Sequence, residues 1–205
     1  MNLLKGMIGI AVAKTAADAI KNGIEKHKEK KRVLDEAVES AEIARQLTAQ
    51  THKYRFQKRG LYVFDEDGIL KYKTKPDTVN IGKKTIRIYD SQGEEVGHID
   101  SKGIFDSEEV EYTAFEGKEK IGIITNQRTQ FKFESYVMWE VRSRVFDSQS
   151  LIFDANGNLL IIIETSILAG NGKIYRIKYT RPEDEFRGLL LVTAIDAGNH
   201  LNDEE

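Results

Sequence analysis

Residues 182–199 read Pro182-Glu-Asp-Glu-Phe-Arg-Gly-Leu-Leu-Leu-Val-Thr-Ala-Ile-Asp-Ala-Gly-Asn199. The proline and the three acidic residues after it predict the start of a helix, and Gly198-Asn199 predicts its end. At about 100° per residue, the apolar side chains between these ends cover the whole circumference of the helix. A helix that is apolar on every side has to be buried on every side. In a chain of 205 residues, the inside of a β-barrel provides such an environment.

The region before this helix has the pattern of β-strands. From Tyr54 to Tyr179, short apolar alternations are separated by glycine, as in Ile86-Arg87-Ile88-Tyr89 and Phe131-Lys132-Phe133. About twelve candidate strands follow one another without an intervening helical pattern. The sequence therefore predicts a mainly β fold, a closed antiparallel barrel of about 12 strands that encloses a hydrophobic helix at about 183–198.

Three of the predicted turns share the form aromatic-Asp-x-x-Gly. They are Phe64-Asp65-Glu66-Asp67-Gly68, Tyr89-Asp90-Ser91-Gln92-Gly93 and Phe153-Asp154-Ala155-Asn156-Gly157. In such a turn the aspartate side chain caps the backbone, and glycine takes the left-handed position that closes a hairpin. Gly97 and Gly122 lie inside predicted strands, where glycine indicates a bulge or a tight bend. Phe64 and Tyr89 are 25 residues apart, as are Gly97 and Gly122, which indicates a degenerate hairpin repeat.

The N-terminal region is helical in pattern. Apolar residues from Leu3 to Ile20 recur at helical spacing, a basic tract follows at residues 26–32, and a second helical stretch runs from Leu34 to Leu47 or Thr48. This second stretch spans about two heptads, so we expect it either to pack on the protein's own body or to form a dimer helix. The predicted organisation is a helical segment at 1–53 for docking or oligomerisation, a β-domain at 54–199 and an acidic tail at 200–205.

Composition excludes several classes of protein and of site. The chain has no cysteine, which excludes a disulfide framework and thiolate chemistry, and only four histidines remain as the usual metal ligands. The mean hydropathy of -0.46 excludes a protein with several membrane-spanning helices. The charge is +5 for residues 1–58 and -7 for residues 59–205, which excludes a wholesale basic nucleic-acid binder.

The first residues leave a question of localisation. Gly6 to Ala13, the longest uncharged apolar run there, has eight residues, where about 20 are needed to cross a bilayer. Lys5, this run and Ala11-Val12-Ala13 imitate a secretory signal with its cleavage site. Helical spacing continues past that site to Ile20, which argues against a cleaved signal. The expected localisation is cytoplasmic, and peripheral at the inner membrane surface if the protein binds lipid.

The two most distinctive segments resemble a known family. Residues Ile86 to Ile99 (IRIYDSQGEEVGHI) and Pro182 to Ala197 (PEDEFRGLLLVTAIDA) resemble the LURP-one-related branch of the tubby C-terminal-like fold, kin to the phospholipid scramblases. The resemblance extends from about Tyr54 to Asn199. It implies a barrel around a central helix and, because tubby domains bind phosphoinositides and scramblase relatives act at membranes, a binding protein rather than an enzyme.

One cluster of cations is the candidate ligand site. Between residues 71 and 87 there are six cations and a single acid, Asp77; the cations are Lys71, Lys73, Lys75, Lys83, Lys84 and Arg87. The three lysines of the first strand alternate, so we expect them on one face, with Lys83 and Lys84 returning nearby. Such a cluster is suited to an anionic headgroup. A solvated outer face, with lysine protecting an edge strand, is the simpler interpretation.

Other chemically suggestive residues have structural interpretations. Asp196 lies in the predicted buried helix, so we expect a partner for it, an arginine or backbone amides near the barrel mouth. His98 has no second ligand at suitable spacing, and no metal or cofactor is predicted. Trp139 is expected to be a barrel residue. Phosphate-binding glycine loops and the Gly-x-Ser-x-Gly motif are absent from the sequence.

We therefore expect a non-enzymatic protein that binds an anionic phospholipid surface or a protein partner, with residues 1–50 as a docking or self-association element. The alternative is a hydrolase or transferase with a site at a barrel mouth, which requires convergent carboxylates or histidines there. Nucleic acid is disfavoured as a partner, because residues 59–205 carry a charge of -7 and Tyr72 faces away from Lys71 and Lys73.

Overall fold

The computed structural model describes residues 21–26, 28–53, 59–77, 85–102, 109–127, 130–134, 138–143, 148–168 and 172–199. The chain divides into two compact units, residues 1–41 and residues 42–205. The predicted helix of the first twenty residues, His27 and the acidic tail lie outside the described residues.

The described part of the first unit is one helix, α1, seen at residues 21–26 and 28–39. Arg32 pairs with Glu29 at 2.7 Å and with Glu36 at 3.2 Å, the spacings at which side chains meet on a helix surface. Near its end, the hydroxyl of Ser40 donates to the carbonyl of Glu36. The predicted second helical stretch therefore exists, but it stops before residue 40 and does not reach Leu47.

The second unit contains twelve strands and a C-terminal helix among the described residues. The strands are β1 (Arg45–Lys53), β2 (Arg59–Phe64), β3 (Leu70–Pro76), β4 (Thr85–Asp90), β5 (Glu95–Lys102), β6 (Glu109–Glu116), β7 (Glu119–Gln127), β8 (Gln130–Glu134), β9 (Met138–Ser143), β10 (Gln149–Phe153), β11 (Leu159–Ile167) and β12 (Lys173–Tyr179). A 3₁₀ turn at Pro182–Asp184 leads into helix α2 (Glu185–Asn199). The prediction of a mainly β protein with helices at both ends is confirmed.

The strand β1 lies where the sequence pattern predicted helix and a domain boundary. Leu47 and Ala49 are two residues apart and are both buried. That spacing places them on one face of a strand, and three-four helical spacing through the same apolar residues imitated a helix. The β-domain therefore starts near residue 42, and the boundary predicted at residue 54 is wrong.

All strand pairs are antiparallel. Hydrogen-bonded neighbours follow the order β1-β12-β11-β10-β9-β8-β7-β6-β5-β4-β3-β2, and β1 pairs with both β12 and β2, so that the order closes on itself. Because the strands alternate in direction, the turns after β2, β4, β6 and β10 lie at one end of the sheet, together with Arg45 at the start of β1 and the start of α2. We call this end the turn end.

Each of these four hairpins contains a β-bulge next to its turn. The register shifts beside Phe64, Tyr89, Phe115 and Phe153, so one residue of the following strand has no direct partner. The extra residues are Lys71, Val96, Ile121 and Leu160. The structural repeat is thus an aromatic residue, a turn and a bulge, and it explains the glycine spacing in the sequence.

The three aspartate turns have the predicted geometry. In the first, Oδ1 of Asp65 accepts hydrogen bonds from the backbone of Asp67 at 3.1 Å and of Ile69 at 2.8 Å. Asp90 and Asp154 make the same pair of bonds. The glycines that end these turns have φ between 78° and 90°, the left-handed region that glycine adopts without strain.

Helix α2 lies among the inward-facing side chains of the sheet. Leu189, Leu190, Leu191 and Val192 are 0% exposed and belong to the same hydrophobic cluster as the inward residues of the strands. The helix contacts β5, β6, β7 and β12. The sequence-based prediction that α2 is buried on every side is confirmed, and at about 25 cal/mol per Å² this burial is a major source of stability.

Two glycines let α2 approach the sheet. A Cβ at Gly97 would meet the carbonyl oxygen of Phe115 and would lie 2.7 Å from the ring of Phe186 on α2. A Cβ at Gly188 would lie 2.5 Å from the ring of Tyr179. Both distances are shorter than any real Cβ contact, so only glycine fits these positions.

The buried carboxylate of α2 is held by a tyrosine. Asp196 is 5% exposed, and its Oδ1 accepts a hydrogen bond of 2.8 Å from the hydroxyl of Tyr175 on β12. The expectation of a partner for Asp196 is met, and one such partner is the hydroxyl of Tyr175. Trp139 is 0% exposed in the core of the sheet, as predicted.

Candidate functional site

The outward faces of β3, β4, β5 and β6 form a polar and aromatic surface. Inward residues alternate with it, such as Thr74, Ile88 and Ile99, which are at most 1% exposed. We define the β3–β6 surface by Lys73, Lys75, Arg87, Tyr89, Glu95, His98 and Phe115. Neighbouring pairs in the strand register build it: Lys73 opposite Tyr89, Lys75 opposite Arg87, and His98 opposite both Arg87 and Phe115.

Two lysines supply its available positive charge. Nζ of Lys73 lies 5.8 Å from the centre of the Tyr89 ring, a cation–π distance. Lys75 is exposed. Among the described residues, neither lysine has a carboxylate within ion-pair distance, so both ammonium groups can meet an anionic partner.

The third cation of this surface is engaged by two carboxylates. Nε of Arg87 donates to Asp77 at 2.9 Å, and Nη1 donates to both oxygens of Glu95 at 2.9 and 2.8 Å. Hydrogen bonds to Glu95 and then to Asp77 raise the pKa of Arg87 above its ordinary value. The guanidinium is therefore fixed between the end of β3 and the start of β5.

His98 belongs to the same network. Its ring stacks on Phe115 with centroids 4.4 Å apart and planes 14° apart, and its Nδ1 lies 3.3 Å from Oε1 of Glu95. The side chain is 19% exposed. This arrangement is that of a partly buried side chain packed against an aromatic ring.

Lys71 leaves the surface because of the β3 bulge. It is the extra residue of its hairpin, so the simple alternation that predicted Lys71, Lys73 and Lys75 on one face fails at this point. Its equivalents Val96, Ile121 and Leu160 all pack on or in the hydrophobic core. Lys71 is turned in the same direction, and its ammonium reaches Oε1 of Glu185 at 2.6 Å.

Glu185, the first residue of α2, is the centre of a second cluster at the turn end. Nη1 of Arg45 donates to its Oε2 at 2.8 Å, and the hydroxyl of Tyr72 donates to its Oε1 at 2.9 Å. Burial raises the pKa of this carboxyl, but the hydrogen bonds from Arg45, Lys71 and Tyr72 outweigh burial, so its pKa lies below the ordinary value. Burial, and then the bond to Glu185, raises the pKa of Tyr72. The carboxylate is ionised and saturated with donors.

The neighbouring acid is also paired. Asp184 is 2% exposed, and Arg181 donates to its Oδ2 at 2.8 Å. Because both buried carboxylates at the start of α2 serve ion pairs that hold the helix, the cluster is suited to anchoring it rather than to acid–base chemistry.

The six cations that were predicted to form one ligand site do not all lie together in the structure. Lys73 and Lys75 lie on the β3–β6 surface, Arg87 lies there but is held by carboxylates, and Lys71 is bound to Glu185. Lys83 and Lys84 lie outside the described residues. The prediction that Lys71 shares a face with Lys73 and Lys75 is therefore wrong.

Sequence reasoning overlooked the anionic and aromatic members of this region. Glu95, Tyr89 and Phe115 share the outward face with the lysines, and the period-two alternation of β4 could have placed Tyr89 beside Arg87. Glu95 could not have been placed in this way, because the bulge at β5 changes the face of the residues around it. Glu185 was predicted only as a helix-start residue.

Neither a metal centre nor a membrane-spanning helix is found in the part of the chain that the structure describes. Within it, no three His, Asp or Glu side chains are grouped as metal ligands would be. None of its helices is long and apolar enough to cross a bilayer.

Comparison with known proteins finds one family and one solved structure. A family model described as LURP-one-related matches residues 45–174. The X-ray structure of a protein from Arabidopsis thaliana is similar with a TM-score of 0.47 and 8% sequence identity, over 76% of this chain and 93% of that chain. No curated protein matches the sequence significantly.

Proposed function

From the premise that the chain belongs to the LURP-one-related family, we propose that it is a non-enzymatic binding protein that associates with anionic membrane surfaces. The β3–β6 surface supplies one contact, and the N-terminal segment supplies the other. The association takes place on the cytoplasmic side, at the inner membrane surface.

The packing of α2 supports binding by the outer surface. Leu189 to Ala197 are all buried among the inward side chains of the strands, so this part of the interior is occupied by the protein itself. A ligand then has to meet the outward faces or the loops. The alternative of an enzyme with a site at the mouth of the sheet receives no comparable support, because the two buried carboxylates at the start of α2, Glu185 and Asp184, are held in ion pairs.

The observation that carries the proposal is the pair of available lysines on β3. Lys73 and Lys75 project from one face beside the Tyr89 ring, with no carboxylate partner among the described residues. The segment that joins β3 to β4 adds Lys83 and Lys84. Each cation near an anionic membrane adds roughly 1 kcal/mol of attraction, which falls off within a Debye length.

The N-terminal segment is proposed as the second contact. Helix α1 carries exposed cations at Lys26, Lys28, Lys30 and Lys31, and the apolar residues from Leu3 to Ile20 precede it. An amphipathic segment gains from shallow apolar burial, and its cations add attraction to anionic lipid. Two weak contacts on one chain raise the overall affinity without any new interaction. We therefore expect weak, reversible binding to anionic membranes that requires both the β3–β6 surface and the N-terminal segment.

Vesicle flotation with the full chain tests this function. We expect the protein to float with phosphatidylcholine vesicles that contain phosphatidylserine, to stay behind with pure phosphatidylcholine, and to dissociate at high salt. Lys73→Glu with Lys75→Glu reduces flotation. The matched control is Lys118→Glu with Arg176→Glu, which changes the charge equally at two exposed positions outside the β3–β6 surface. Equal loss in both variants, or no flotation with either vesicle at low salt, contradicts the proposal.

A further inference from the structure

Arg87 has the position of a third membrane-facing cation but is restrained there. It lies opposite Lys75 in the strand register, on the outward face of β4. Its Nε and Nη1 donate to Asp77 and Glu95 at 2.8–2.9 Å, and its side chain is 35% exposed. The two carboxylates come from either side, Asp77 from the residue after β3 and Glu95 from the first residue of β5. The guanidinium is thus bridged across three strands.

These contacts lower the positive charge with which the β3–β6 surface can attract an anion. Three cations, Lys73, Lys75 and Arg87, face two acids, Asp77 and Glu95, so the group has a net charge of +1 instead of +3. A lipid phosphate that approaches Arg87 has to compete with two carboxylates that already accept hydrogen bonds from its Nε and Nη1.

Other contacts keep this network in place. The backbone of Asp77 donates to the carbonyl of Thr85 at 2.8 Å, which fixes the end of β3 against β4. His98, stacked on Phe115, lies 3.3 Å from the same Glu95 oxygen that accepts from Arg87. The backbone at Asp77 and at Glu95 is therefore fixed beside Arg87 by the pairing of β3, β4 and β5.

We infer that Asp77 and Glu95 limit the affinity of the β3–β6 surface for anionic membranes by withholding Arg87 from them. Neutralising both acids makes Arg87 a membrane-binding residue alongside Lys73 and Lys75. This inference rests on the function proposed above and specifies what sets its strength.

A double-mutant cycle on the full chain separates this effect from a general change in charge. With phosphatidylcholine–phosphatidylserine vesicles, Asp77→Asn with Glu95→Gln raises the partition coefficient about 25-fold, on the basis of roughly fivefold for each of the two units of charge. Arg87→Gln changes binding by less than about twofold in the wild-type background and lowers it about fivefold when the two acids are neutral.

The control removes two acids where no arginine is held. Glu116→Gln with Glu119→Gln neutralises two exposed side chains of the β6–β7 hairpin, and we expect a smaller rise that does not depend on Arg87. Thermal unfolding checks that each variant is folded. If the double variant does not fold, Glu95→Gln alone is used. The neutral amide keeps one acceptor oxygen for Nη1 of Arg87, and the same dependence on Arg87 is expected.

The outcomes are distinguishable. If Arg87→Gln has the same effect in both backgrounds, the acids do not withhold Arg87 and the inference is wrong, even where Lys73→Glu with Lys75→Glu still reduces binding. If no variant binds anionic vesicles, the proposed function fails, and the inference fails with it. A selective loss at Arg87 in the acid-free background supports both.

Discussion

The ammonium of Lys71 lies 2.6 Å from Oε1 of Glu185, which joins the bulge of β3 to the first residue of α2. The other three hairpin bulges place Val96, Ile121 and Leu160 at the equivalent position, and these side chains pack on or in the core. A charged residue at this position is tolerated because the helix brings a carboxylate to meet it. The same carboxylate binds Arg45 and Tyr72, so three side chains from two strands, β1 and β3, hold the start of the helix.

Replacing Glu185 by glutamine should destabilise the protein. The glutamine amide is neutral and has one acceptor oxygen, so the ion pairs with Arg45 and Lys71 are lost. We expect a decrease of about 2 kcal/mol in the free energy of unfolding. Urea unfolding at neutral pH measures the change. The control is Glu183→Gln, an exposed acid of the preceding turn, which should change stability by less than about 0.5 kcal/mol. Equal effects in the two variants would contradict the anchoring role.

The contribution of Glu185 should depend on pH. Its pKa is lower in the folded protein than in the unfolded chain, so its stabilising effect is complete above the unfolded value of about 4.3 and is lost as pH falls through the folded pKa. The stability difference between wild type and Glu185→Gln should therefore shrink below about pH 4. Urea unfolding over a pH series tests this, and a difference that persists unchanged in acid would assign the loss to packing.

Lys71 and Glu185 should show coupled effects on stability. In a cycle of Lys71→Leu, Glu185→Gln and both together, we expect a coupling energy of about 1 kcal/mol. Leucine is chosen because the equivalent bulge positions hold apolar residues. Additive effects would show that the two side chains act independently despite their 2.6 Å contact.

Adding a methyl group at Gly97 should disturb the packing of α2. Gly97→Ala places a Cβ against the carbonyl of Phe115 and 2.7 Å from the Phe186 ring, and such overpacking costs about 1–3 kcal/mol. Thermal unfolding measures the loss. Gly23→Ala on α1 is the control, since nothing lies within 4 Å of its Cβ and alanine favours a helix. If Gly97→Ala left the thermal stability unchanged, α2 and the sheet would have to be able to move apart at this position without cost.

Residues 42–205 should fold without the N-terminal unit. Deleting residues 1–41 removes no strand, and we expect a cooperative transition of the remaining chain. Deleting residues 1–53 also removes β1, which pairs with both β12 and β2, and should abolish cooperative unfolding. Calorimetry distinguishes the two. A native-like transition after loss of β1 would contradict its place in the core.

The fold was predictable from the sequence wherever a local pattern requires a particular tertiary environment or a particular turn. The all-round apolar character of Leu189 to Ile195 requires a surrounding core, and the aspartate turns specify hairpins within a few residues. The apolar residues around Leu47 and Ala49 fit two patterns, the helical spacing that begins further upstream and the alternation of a strand. The error at β1 arose because only pairing with β2 and β12 distinguishes these two patterns.

The candidate site was less predictable. Lys73 and Lys75 follow from alternation along one strand, but the bulge that redirects Lys71 depends on register with β2. Asp77 and Glu95 are 18 residues apart in sequence, and their common contact with Arg87 exists because three strands lie side by side. No local sequence pattern predicts such a contact.

By itself, the sequence determined the elements whose cause is local: the strands after residue 59, the three capped turns and the helix that has to be buried. The tertiary structure alone decided which charges are available. Lys71 and Lys73 have the same side chain and stand two residues apart, yet one is bound to Glu185 and the other faces outward beside Tyr89. The reason is physical: the charge that a side chain presents depends on which residues distant in sequence lie within a few ångströms of it, and packing sets those distances.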